Sequence, residues 1–273
     1  MAITDFQWNL CRLIAGHRVK AGESYVARGV TLGAILGTSR LSRDVNLFHD
    51  TQEALAFTWD SDRRLLEAHG YEIGIVRERP AFVEALIAKD RDQVLLQWTC
   101  DSTYRFFPLV EHPDFGLTLH PFDLATNKVL ALVGRLGVCD WIDLIECHRH
   151  VQPLGYLVWA ACGKDPGWSP ENILNEARRS ARSPQDEIEE FSFEGPPPSA
   201  ADLAAAWKAG LDEAIAIHAM LPPETAGCCI LGKSGMLFRG SLSELQENIL
   251  QRNILFHHGT IRGAWPQIRS TKG

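Results

Sequence analysis

The chain has 273 residues, 45% of them hydrophobic, which is enough for one large domain or two modest ones. Its net charge of −7 and pI near 5.8 exclude sequence-independent coating of DNA or RNA, because that binding depends on neutralising phosphates with Lys and Arg. The N-terminus has no apolar signal core, and the apolar run at 129–133 is soon interrupted by Arg135, so we predict a cytoplasmic protein without a membrane span. Seven cysteines without a repeating spacing favour reduced thiols.

The first hundred residues predict helices alternating with strands. Thr4 and Gln7 form a capping-box pattern ahead of an apolar helical repeat, and Gly70 is typical of a helix end. Further helices are expected over 30–36 and 52–69, and the strands expected around them lie at 44–48, 71–76, 82–88 and 94–100. Because a polar turn joins the last two strands as a hairpin, these elements predict a small mixed sheet with helices on one side.

From His120 onward the pattern becomes helical. Asp123 is a plausible N-cap for a helix over 124–136, and a second helix is expected over 140–150. Capping serines mark three further helix starts, at Ser169, Ser183 and Ser199. The tail from 227 returns to short strands around one helix near 243–251. We therefore predict a first domain at 1–120, a helical domain at 121–221 and a small α/β appendage at 222–273, with a Pro-rich linker at 195–198.

A glycine turn precedes two oxygen-bearing side chains on one strand. Since successive strand residues point to opposite faces, Asp44 and Asn46 project the same way while Val45 and Leu47 turn toward the core. Backbone N–H groups at a turn and a helix N-terminus suit phosphates, and hard oxygen ligands suit Mg²⁺. The pattern is typical of a site for a triphosphate with its magnesium, here with an uncharged second ligand.

The predicted helices carry a second group of charged residues. Lys128 and Arg135 are two helical turns apart, so they lie along one face and could present two cations to a polyphosphate. Asp140 and Asp143 also share a face. Nucleotide transfer needs cations that stabilise the phosphoryl group while a hydroxyl attacks in line, and a nearby carboxylate can accept the proton.

Together these motifs resemble the AbiEii/AbiGii-type nucleotidyltransferases, the toxins of type IV toxin–antitoxin systems. The resemblance covers roughly residues 25–144 and rests on the turn at 29–31, the strand at 42–46 and the helical run at 123–144. It implies an α+β fold: a DNA polymerase β-like nucleotidyltransferase core, made of a small mixed sheet with helices, plus a helical domain that covers the nucleotide cleft.

The resemblance also implies roles for individual residues. The expected catalytic residues are Asp44, Lys128 and Asp143. The expected nucleotide-binding residues are Gly29, Thr31, Ser42, Arg43, Lys128 and Arg135. Magnesium would be held by Asp44 and Asn46, and our candidate for a third acidic ligand is Asp101, at the end of the strand over 94–100.

The implied reaction moves a nucleoside monophosphate from an NTP to a hydroxyl and releases pyrophosphate, with Mg²⁺ as cofactor. The acceptor would be a hydroxyl of tRNA, of a protein or of a small molecule, and the implied protein partner is a cognate antitoxin. Three departures leave open a catalytically inactive binding module of the same fold. Asn46 lacks a charge, Val30 replaces a glycine beside the phosphate turn, and Cys139 replaces a common arginine.

Each of these motifs also fits a purely structural role: a half-buried strand, a solvated helix face and an acid-rich first helical turn. A Walker A match at 227–234 lacks the strand-to-helix context of a P-loop, and a hairpin turn at 232–235 explains it better. Cys147 and His150 share a helix face, but no second pair follows at zinc-finger spacing, which favours a buried thiol beside surface histidines.

Overall fold

The structure is a computed structural model that describes residues 4–21, 24–42, 44–180 and 183–268. The helices are α1 (Asp5–Ala21), α2 (Gly29–Leu36), α3 (Gln52–Ala68), α4 (Pro121–Arg135), α5 (Val138–His150), α6 (Leu154–Ala161), α7 (Pro170–Ala177), α8 (Gln185–Glu189), α9 (Ala200–Met220) and α10 (Leu242–Leu250). The strands are β1 (Tyr25–Ala27), β2 (Asp44–His49), β3 (Glu72–Arg79), β4 (Phe82–Lys89), β5 (Asp92–Cys100), β6 (Tyr104–Arg105), β7 (Val110–His112), β8 (Gly116–Thr118), β9 (Cys228–Gly232), β10 (Ile254–His258) and β11 (Thr260–Ile261).

The chain forms two compact units, and each is built from several stretches of sequence. Unit 1 contains Met1–Thr103, Leu109–His120 and Ser192–Pro196, and unit 2 contains Tyr104–Pro108, Pro121–Phe191 and Pro197–Gly273. Residues 222–273, which we expected to form a separate appendage, belong to unit 2. The reason is apolar packing, because Ile230, Leu245 and Ile254 share one buried cluster with the side chains of Tyr156 and Trp159.

A mixed sheet of seven strands, in the order β3-β4-β5-β2-β1-β8-β7, is the centre of unit 1. The pairs β2–β5 and β1–β8 are parallel, and the other pairs are antiparallel. One face of the sheet buries Leu47, Leu96 and Trp98 against apolar residues of α1 and α3, such as Leu10 and Trp59. This packing confirms the predicted mixed sheet and places its apolar core under β2.

The opposite face of the sheet carries a row of polar side chains, which we call the polar row: Asn46 on β2, Gln97 on β5 and Glu84 on β4. The register pairs Asn46 with Gln97, and Gln97 with Glu84, so these three side chains project side by side. The Gln97 Nε2 donates a hydrogen bond of 2.7 Å to Glu84 Oε1.

Local capping explains most of the helix starts. The side chains of Thr4 and Gln7 each accept a hydrogen bond from the other's backbone N–H, which confirms the predicted capping box of α1. The hydroxyls of Ser169 and Ser199 cap α7 and α9 as predicted. In contrast, α8 follows Pro184 without a side-chain cap among the described atoms, although we expected Ser183 to supply one.

Asp123 is not the N-cap of α4, which begins two residues earlier at Pro121. Its fully buried carboxylate instead accepts hydrogen bonds from the N–H groups of Phe106 and Phe107 at 2.9 and 3.0 Å. The Nζ of Lys164 pairs with the same carboxylate at 2.8 Å. Asp123 therefore joins three separate stretches of unit 2, a long-range role that a local capping pattern does not reveal.

The Walker A-like run at 227–234 contains strand β9 and leads into a turn at 232–235, as we predicted. β9 ends at Gly232, and the N–H of Gly235 donates a hydrogen bond of 2.9 Å to the Gly232 carbonyl. The next described helix, α10, starts only at Leu242 and has its own capping box at Ser241. Because a P-loop lysine must lead directly into a helix, Lys233 in this turn cannot serve that role.

Residues 192–196 return to unit 1 from within the helical part of the sequence. The Leu41 N–H donates to the Ser192 carbonyl at 2.8 Å, and the Glu194 N–H donates to the Ser39 carbonyl at 2.7 Å. Arg40 and Phe193 form the antiparallel bridge between these two bonds. This short pairing holds the loop between α2 and β2.

The seven cysteines are free thiols, as their spacing predicts. None of the helices in the described ranges is long and apolar enough to cross a bilayer.

Candidate functional site

Gly29 starts α2 at a point of close approach. A Cβ on Gly29 would lie 2.9 Å from Arg40 Nη2 and 3.3 Å from Ser42 Oγ, distances shorter than most real Cβ contacts. The missing side chain therefore lets a guanidinium and a hydroxyl reach the start of the helix. Sequence reasoning identified Gly29 and Ser42 but missed Arg40, which is 8% exposed and stands alone between two predicted elements without any charge pattern.

The start of α2 offers backbone donors. The first helical hydrogen bond is donated by Leu32 to the Arg28 carbonyl at 3.0 Å, so the N–H groups of Gly29, Val30 and Thr31 precede the helical ladder. Within the described chain, the side chain of Arg28 makes no capping hydrogen bond to these groups. N–H groups without a helical acceptor and the helix dipole make such a terminus suitable for an anion.

The side chains of the turn point inward. Val30 is 1% exposed and packs in the core of unit 1, so its Cβ lies away from the N–H groups. The replacement of a glycine by Val30 therefore does not hinder the approach of a phosphate. Thr31 is fully buried, and its hydroxyl has no hydrogen-bond partner among the described residues. Thr31 therefore belongs to the interior of unit 1.

Arg28, just before the helix, has an unusual backbone and a well-fixed side chain. Its φ of 72° and ψ of −151° lie in a region that residues other than glycine rarely adopt. Its Nη1 donates a hydrogen bond of 3.3 Å to Asn46 Oδ1, and its Cζ lies 5.1 Å from the ring centroid of Phe48. The guanidinium therefore lies along β2, over the predicted metal ligand Asn46.

The strand motif itself is partly described. Arg43 lies outside the described residues, and so does the side chain of Asp44, whose backbone pairs with Leu95 in the sheet. Asn46 is only 3% exposed, and the backbone carbonyl of Ser42 accepts a hydrogen bond of 3.0 Å from Gln7 Nε2. The structure thus brings Gly29, Ser42 and the strand of Asp44 together in unit 1.

Asp101 is too far along the sheet to share a cation with Asp44, which corrects our candidate for a third ligand. Asp44 pairs with Leu95, whereas Asp101 follows Cys100, which pairs with the last β2 residue, His49. The six steps from Leu95 to Asp101 span about 20 Å at roughly 3.3 Å per residue. Ligands of Mg²⁺ lie about 2.1 Å from the ion. The β5 residue level with Asn46 is the amide Gln97.

The described side chains around Asn46 do not fit a second, carboxylate-held cation. Asn46 and Gln97 are uncharged, and the Asn46 oxygen already accepts from Arg28. Among the residues that the structure describes, no group of three or more His, Cys, Asp and Glu is placed to hold a metal ion.

The described residues around Cys147 do not fit a zinc site either. Cys147 is fully buried, and His148 Nδ1 accepts a hydrogen bond from the Leu154 N–H at 3.0 Å. Burial raises the pKa of the Cys147 thiol.

A buried network of four charged residues links α4 to α5 in unit 2. The Lys128 Nζ lies 2.8 Å from Asp140 Oδ1 and 2.8 Å from Asp143 Oδ2. The Arg135 Nε and Nη2 donate to the two oxygens of Asp140 at 2.6 and 2.9 Å. We call these four residues the charge network. The predicted residues Lys128, Arg135 and Asp143 are thus brought together, with Asp140 as their common partner.

Lys128 and Asp140 keep their charges because of their neighbours. Burial by itself lowers the pKa of Lys128, but the carboxylates of Asp143 and Asp140 outweigh burial and raise it. Burial likewise raises the pKa of Asp140, and the contacts with Arg135 and Lys128 outweigh that effect and lower it. Lys128 and Asp140 are therefore both charged at neutral pH. About 59% of the Arg135 side chain is exposed, so its remaining N–H groups face solvent.

Comparison with solved structures identifies the fold. JHP933 from Helicobacter pylori matches with a TM-score of 0.50 and 13% identity, over 80% of this chain and 94% of that protein. MenT4, a nucleotidyltransferase toxin from Mycobacterium tuberculosis, matches with a TM-score of 0.46 and 17% identity, over 80% of this chain and 83% of MenT4. No family pattern and no curated protein sequence matches the chain. The likeness to JHP933 confirms the predicted α+β fold.

Proposed function

We propose that the chain binds an NTP at the start of α2 and transfers its nucleoside monophosphate to a hydroxyl, with release of pyrophosphate. The observation that carries this proposal is the convergence at Gly29. There a helix terminus, the buried guanidinium of Arg40 and the hydroxyl of Ser42 meet beside the strand that bears Asp44. Free backbone donors and a fixed cation at one point suit a triphosphate.

The chemistry needs little covalent help from the protein. The N–H group of Gly29, at the partly exposed start of α2, and the Arg40 guanidinium would hold the phosphates in place and stabilise the charge that develops on them. We assign Asp44 as the magnesium ligand, and bound Mg²⁺ would supply further positive charge to the phosphates. The roles proposed for Lys128, Arg135 and Asp143 rest on the sequence resemblance and are supported by their contacts within the charge network.

The sequence resemblance supports the identity of the acceptor and the partner. We propose that the acceptor is a hydroxyl of tRNA, of another cellular macromolecule or of a small molecule, and that a cognate antitoxin counters the activity in the cytoplasm. The net charge of −7 favours a specific contact with such an acceptor over general nucleic-acid binding.

Pyrophosphate release tests the proposal. The purified chain is incubated with each labelled NTP, Mg²⁺ and a total tRNA fraction, and pyrophosphate is measured. We expect release with at least one NTP, and loss of release in Asp44→Ala. The matched control is Asp60→Ala, which removes an exposed carboxylate of α3 that pairs with Arg64. Equal release by both variants would contradict the assignment of Asp44.

A second candidate is a non-catalytic module that holds a nucleotide in the same place. The observation that favours it is the replacement of a charged ligand by Asn46, whose oxygen accepts from Arg28. Saturable binding of an NTP without pyrophosphate release, with every acceptor fraction tested, would support this candidate over transfer.

A further inference from the structure

We propose that the face of the sheet that carries the polar row binds the single-stranded end of an RNA, which is the acceptor. We call this face, over β3, β4 and β5, the open face. Besides the polar row it contains Arg77, Arg79, Phe82, Leu86 and Leu95. The inference rests on the proposed function, because the RNA receives the nucleoside monophosphate. It goes further by naming the class of acceptor and the surface that holds it.

The strand β3 begins with its apolar side chains on the core face of the sheet. Ile73 pairs with Ile87, and Ile75 pairs with Ala85. Ile87 and Ala85 are fully buried in the core of unit 1, and Ile73 packs against that core. Since side chains alternate along a strand, residues 77 and 79 would also face the core if this pairing continued without a break.

A β-bulge turns two arginines the other way. One extra residue, Val76, shifts the register, so that Arg77 pairs with Glu84 and Arg79 pairs with Phe82. Glu84 and Phe82 belong to the open face, because they alternate with the buried residues of β4. Bulges commonly re-aim a side chain beside a functional site. The bulge therefore places both guanidinium groups on the face that carries the polar row.

The two arginines are exposed cations. Neither Arg77 nor Arg79 forms an ion pair with any residue that the structure describes. The carboxylate opposite Arg77 is that of Glu84, and it accepts the hydrogen bond of 2.7 Å from Gln97 Nε2. The two arginines are about 7 Å apart along the strand, at roughly 3.3 Å per residue. In a chain with a net charge of −7, such a pair attracts phosphates to one place.

The apolar side chains of the open face suit unpaired bases. Phe82, Leu86 and Leu95 are only half-buried on this face. The Cζ of Arg77 lies 5.8 Å from the ring centroid of Phe82, so a ring and a guanidinium plane are neighbours. Unpaired bases stack on aromatic rings and on guanidinium planes, whereas a duplex keeps its bases inside. The surface therefore favours a single strand.

The polar row connects this surface with the start of α2. The consecutive partners across β2, β5, β4 and β3 are Asn46, Gln97, Glu84 and Arg77. Three strand spacings of roughly 4.8 Å place Arg77 about 14 Å from Asn46. The other end of the row lies beside α2, because Arg28 Nη1 donates to Asn46 Oδ1 at 3.3 Å. A few nucleotides span this distance.

The terminal hydroxyl of the bound RNA would thus reach the NTP. The hydroxyl oxygen would bond to the α-phosphorus as pyrophosphate leaves, and the hydroxyl proton would pass to water.

The same bulge disfavours a strand of a partner protein as the occupant. β3 is an edge of the sheet, and an added strand would need a regular row of backbone N–H and C=O groups there. The extra residue Val76 interrupts that row. We therefore assign the open face to RNA.

Fluorescence anisotropy with a labelled RNA tests the inference. The probe is a 5′-labelled single strand of about ten nucleotides with a free 3′ hydroxyl, titrated with the full chain at several salt concentrations. Arg77→Ala/Arg79→Ala should weaken binding at least about tenfold, because two charged contacts to phosphates are lost. The slope of log affinity against log salt should become shallower by about 1.4, at roughly 0.7 per phosphate contact.

The matched control is Arg63→Ala/Arg64→Ala, which removes the same amount of charge. Both arginines are exposed on α3, where they pair with Glu67 and Asp60. Because α3 packs on the core face of the sheet, this variant should keep the RNA affinity and the salt slope of the unaltered protein.

Deletion of Val76 is a second variant, which keeps both arginines and removes the bulge. The restored alternation turns residues 77 and 79 toward the core face, so RNA binding should fall as in the double alanine variant. Far-UV circular dichroism shows whether the deletion variant is folded. If it is not, Arg77→Ala and Arg79→Ala, each made alone, take its place, and each should lose about half of the change in salt slope.

The outcomes separate the two proposals. Unchanged RNA affinity in Arg77→Ala/Arg79→Ala, or an equal loss in the α3 control, would overturn the role of the open face. Equally tight binding of an RNA hairpin without a single-stranded end would also overturn it. If the unaltered protein binds no RNA, the inference fails, and pyrophosphate release with another acceptor would leave the proposed function standing. RNA binding that depends on both arginines, without pyrophosphate release from any NTP, would support the RNA surface and overturn the proposed transfer.

Discussion

The charge network of unit 2 and the residue Arg28 of unit 1 place charge in different surroundings. In unit 2, Lys128, Asp140, Asp143 and Arg135 are paired with one another, and Asp140 is fully buried. In unit 1, the cation Arg28 is exposed, lies against an uncharged amide and has a strained backbone. Paired buried charges are costly to disturb, whereas a strained and exposed charge adds little to folding.

A residue that the sequence assigns to a site can contribute mainly to stability or mainly to ligand binding. Changes in the charge network should appear mainly as lost stability. Changes at Gly29 should appear mainly as lost ligand binding.

The largest expected effect is on the charge network. Asp140→Ala leaves Arg135 without its bidentate partner and Lys128 with Asp143 alone, so we expect unfolding to become easier by about 3–5 kcal/mol. Urea unfolding followed by tryptophan fluorescence measures this. The control Asp212→Ala breaks an exposed pair with Lys208 and should cost at most about 1 kcal/mol. Similar losses for both variants would show that the network is no stronger than a surface pair.

The second largest effect should come from lowering the pH, which should destabilise unit 1 more than unit 2. Burial lowers the pKa of His49 in unit 1 from 6.5 to about 4. Because the folded pKa lies below the unfolded one, stability is complete above pH 6.5 and falls as the pH drops toward 4, by about 3 kcal/mol at 1.36 kcal/mol per pKa unit. The lowered pKa of Asp140 in unit 2 acts only below its ordinary value of 3.8. Burial lowers the pKa of His148 in unit 2 as well, but the shift of His49 is the larger one, so unit 1 should lose more stability between pH 6.5 and 4.5.

Urea unfolding at pH 7 and 4.5 checks the order. His49→Gln should remove most of the difference between the two pH values. His69→Gln, an exposed histidine at the end of α3, should leave the difference unchanged. If the His49 variant keeps the full pH dependence, another group must be responsible.

Gly29→Ala tests the binding side of the comparison. The new Cβ would press on Arg40 Nη2, the end of a flexible side chain, so we expect stability to change by less than about 1 kcal/mol. NTP affinity should fall by about tenfold, or about 1.4 kcal/mol, because the guanidinium is displaced from the helix start. Titration with a fluorescent NTP analogue measures it. Gly16→Ala, with nothing within 4 Å of the new Cβ, is the control and should bind normally.

The smallest expected effect concerns backbone strain at Arg28. Both Arg28→Gly and Arg28→Ala remove the guanidinium, but only alanine keeps a Cβ at the positive φ. The glycine variant should therefore be more stable than the alanine variant by about 1–2 kcal/mol. Equal urea midpoints would show that the backbone relaxes in both variants.

Local signals in the sequence predicted much of the fold. The caps at Thr4, Ser169 and Ser199 depend on contacts three residues away, so they are legible in a single sequence. The helix α6 was missed because Leu154–Ala161 is buried along its whole length and has no polar face to give a helical period. The order of strands in the sheet depends on pairings between distant residues, which no local pattern records.

The candidate site was predictable in its motifs and unpredictable in its charges. Gly29, Ser42 and the strand of Asp44 are consecutive motifs, and they meet as their order suggested. The buried Arg40, the positive φ of Arg28 and its contact with Asn46 arise from tertiary packing. The distance between Asp101 and Asp44 likewise follows from the parallel register of β2 and β5, which the sequence alone leaves undetermined.

The return of residues 192–196 to unit 1 limits how this protein can be divided. The chain passes between the units five times, so neither unit corresponds to a single stretch of sequence. A fragment that ends at residue 120 would lose the strand pairing to Arg40 and its two flanking hydrogen bonds. It would thereby lose part of the support for the loop between α2 and β2, next to the proposed nucleotide site. Recombination that exchanges one half of the coding sequence for that of a relative would break both units at once, so we expect the two units to be inherited and diversified together.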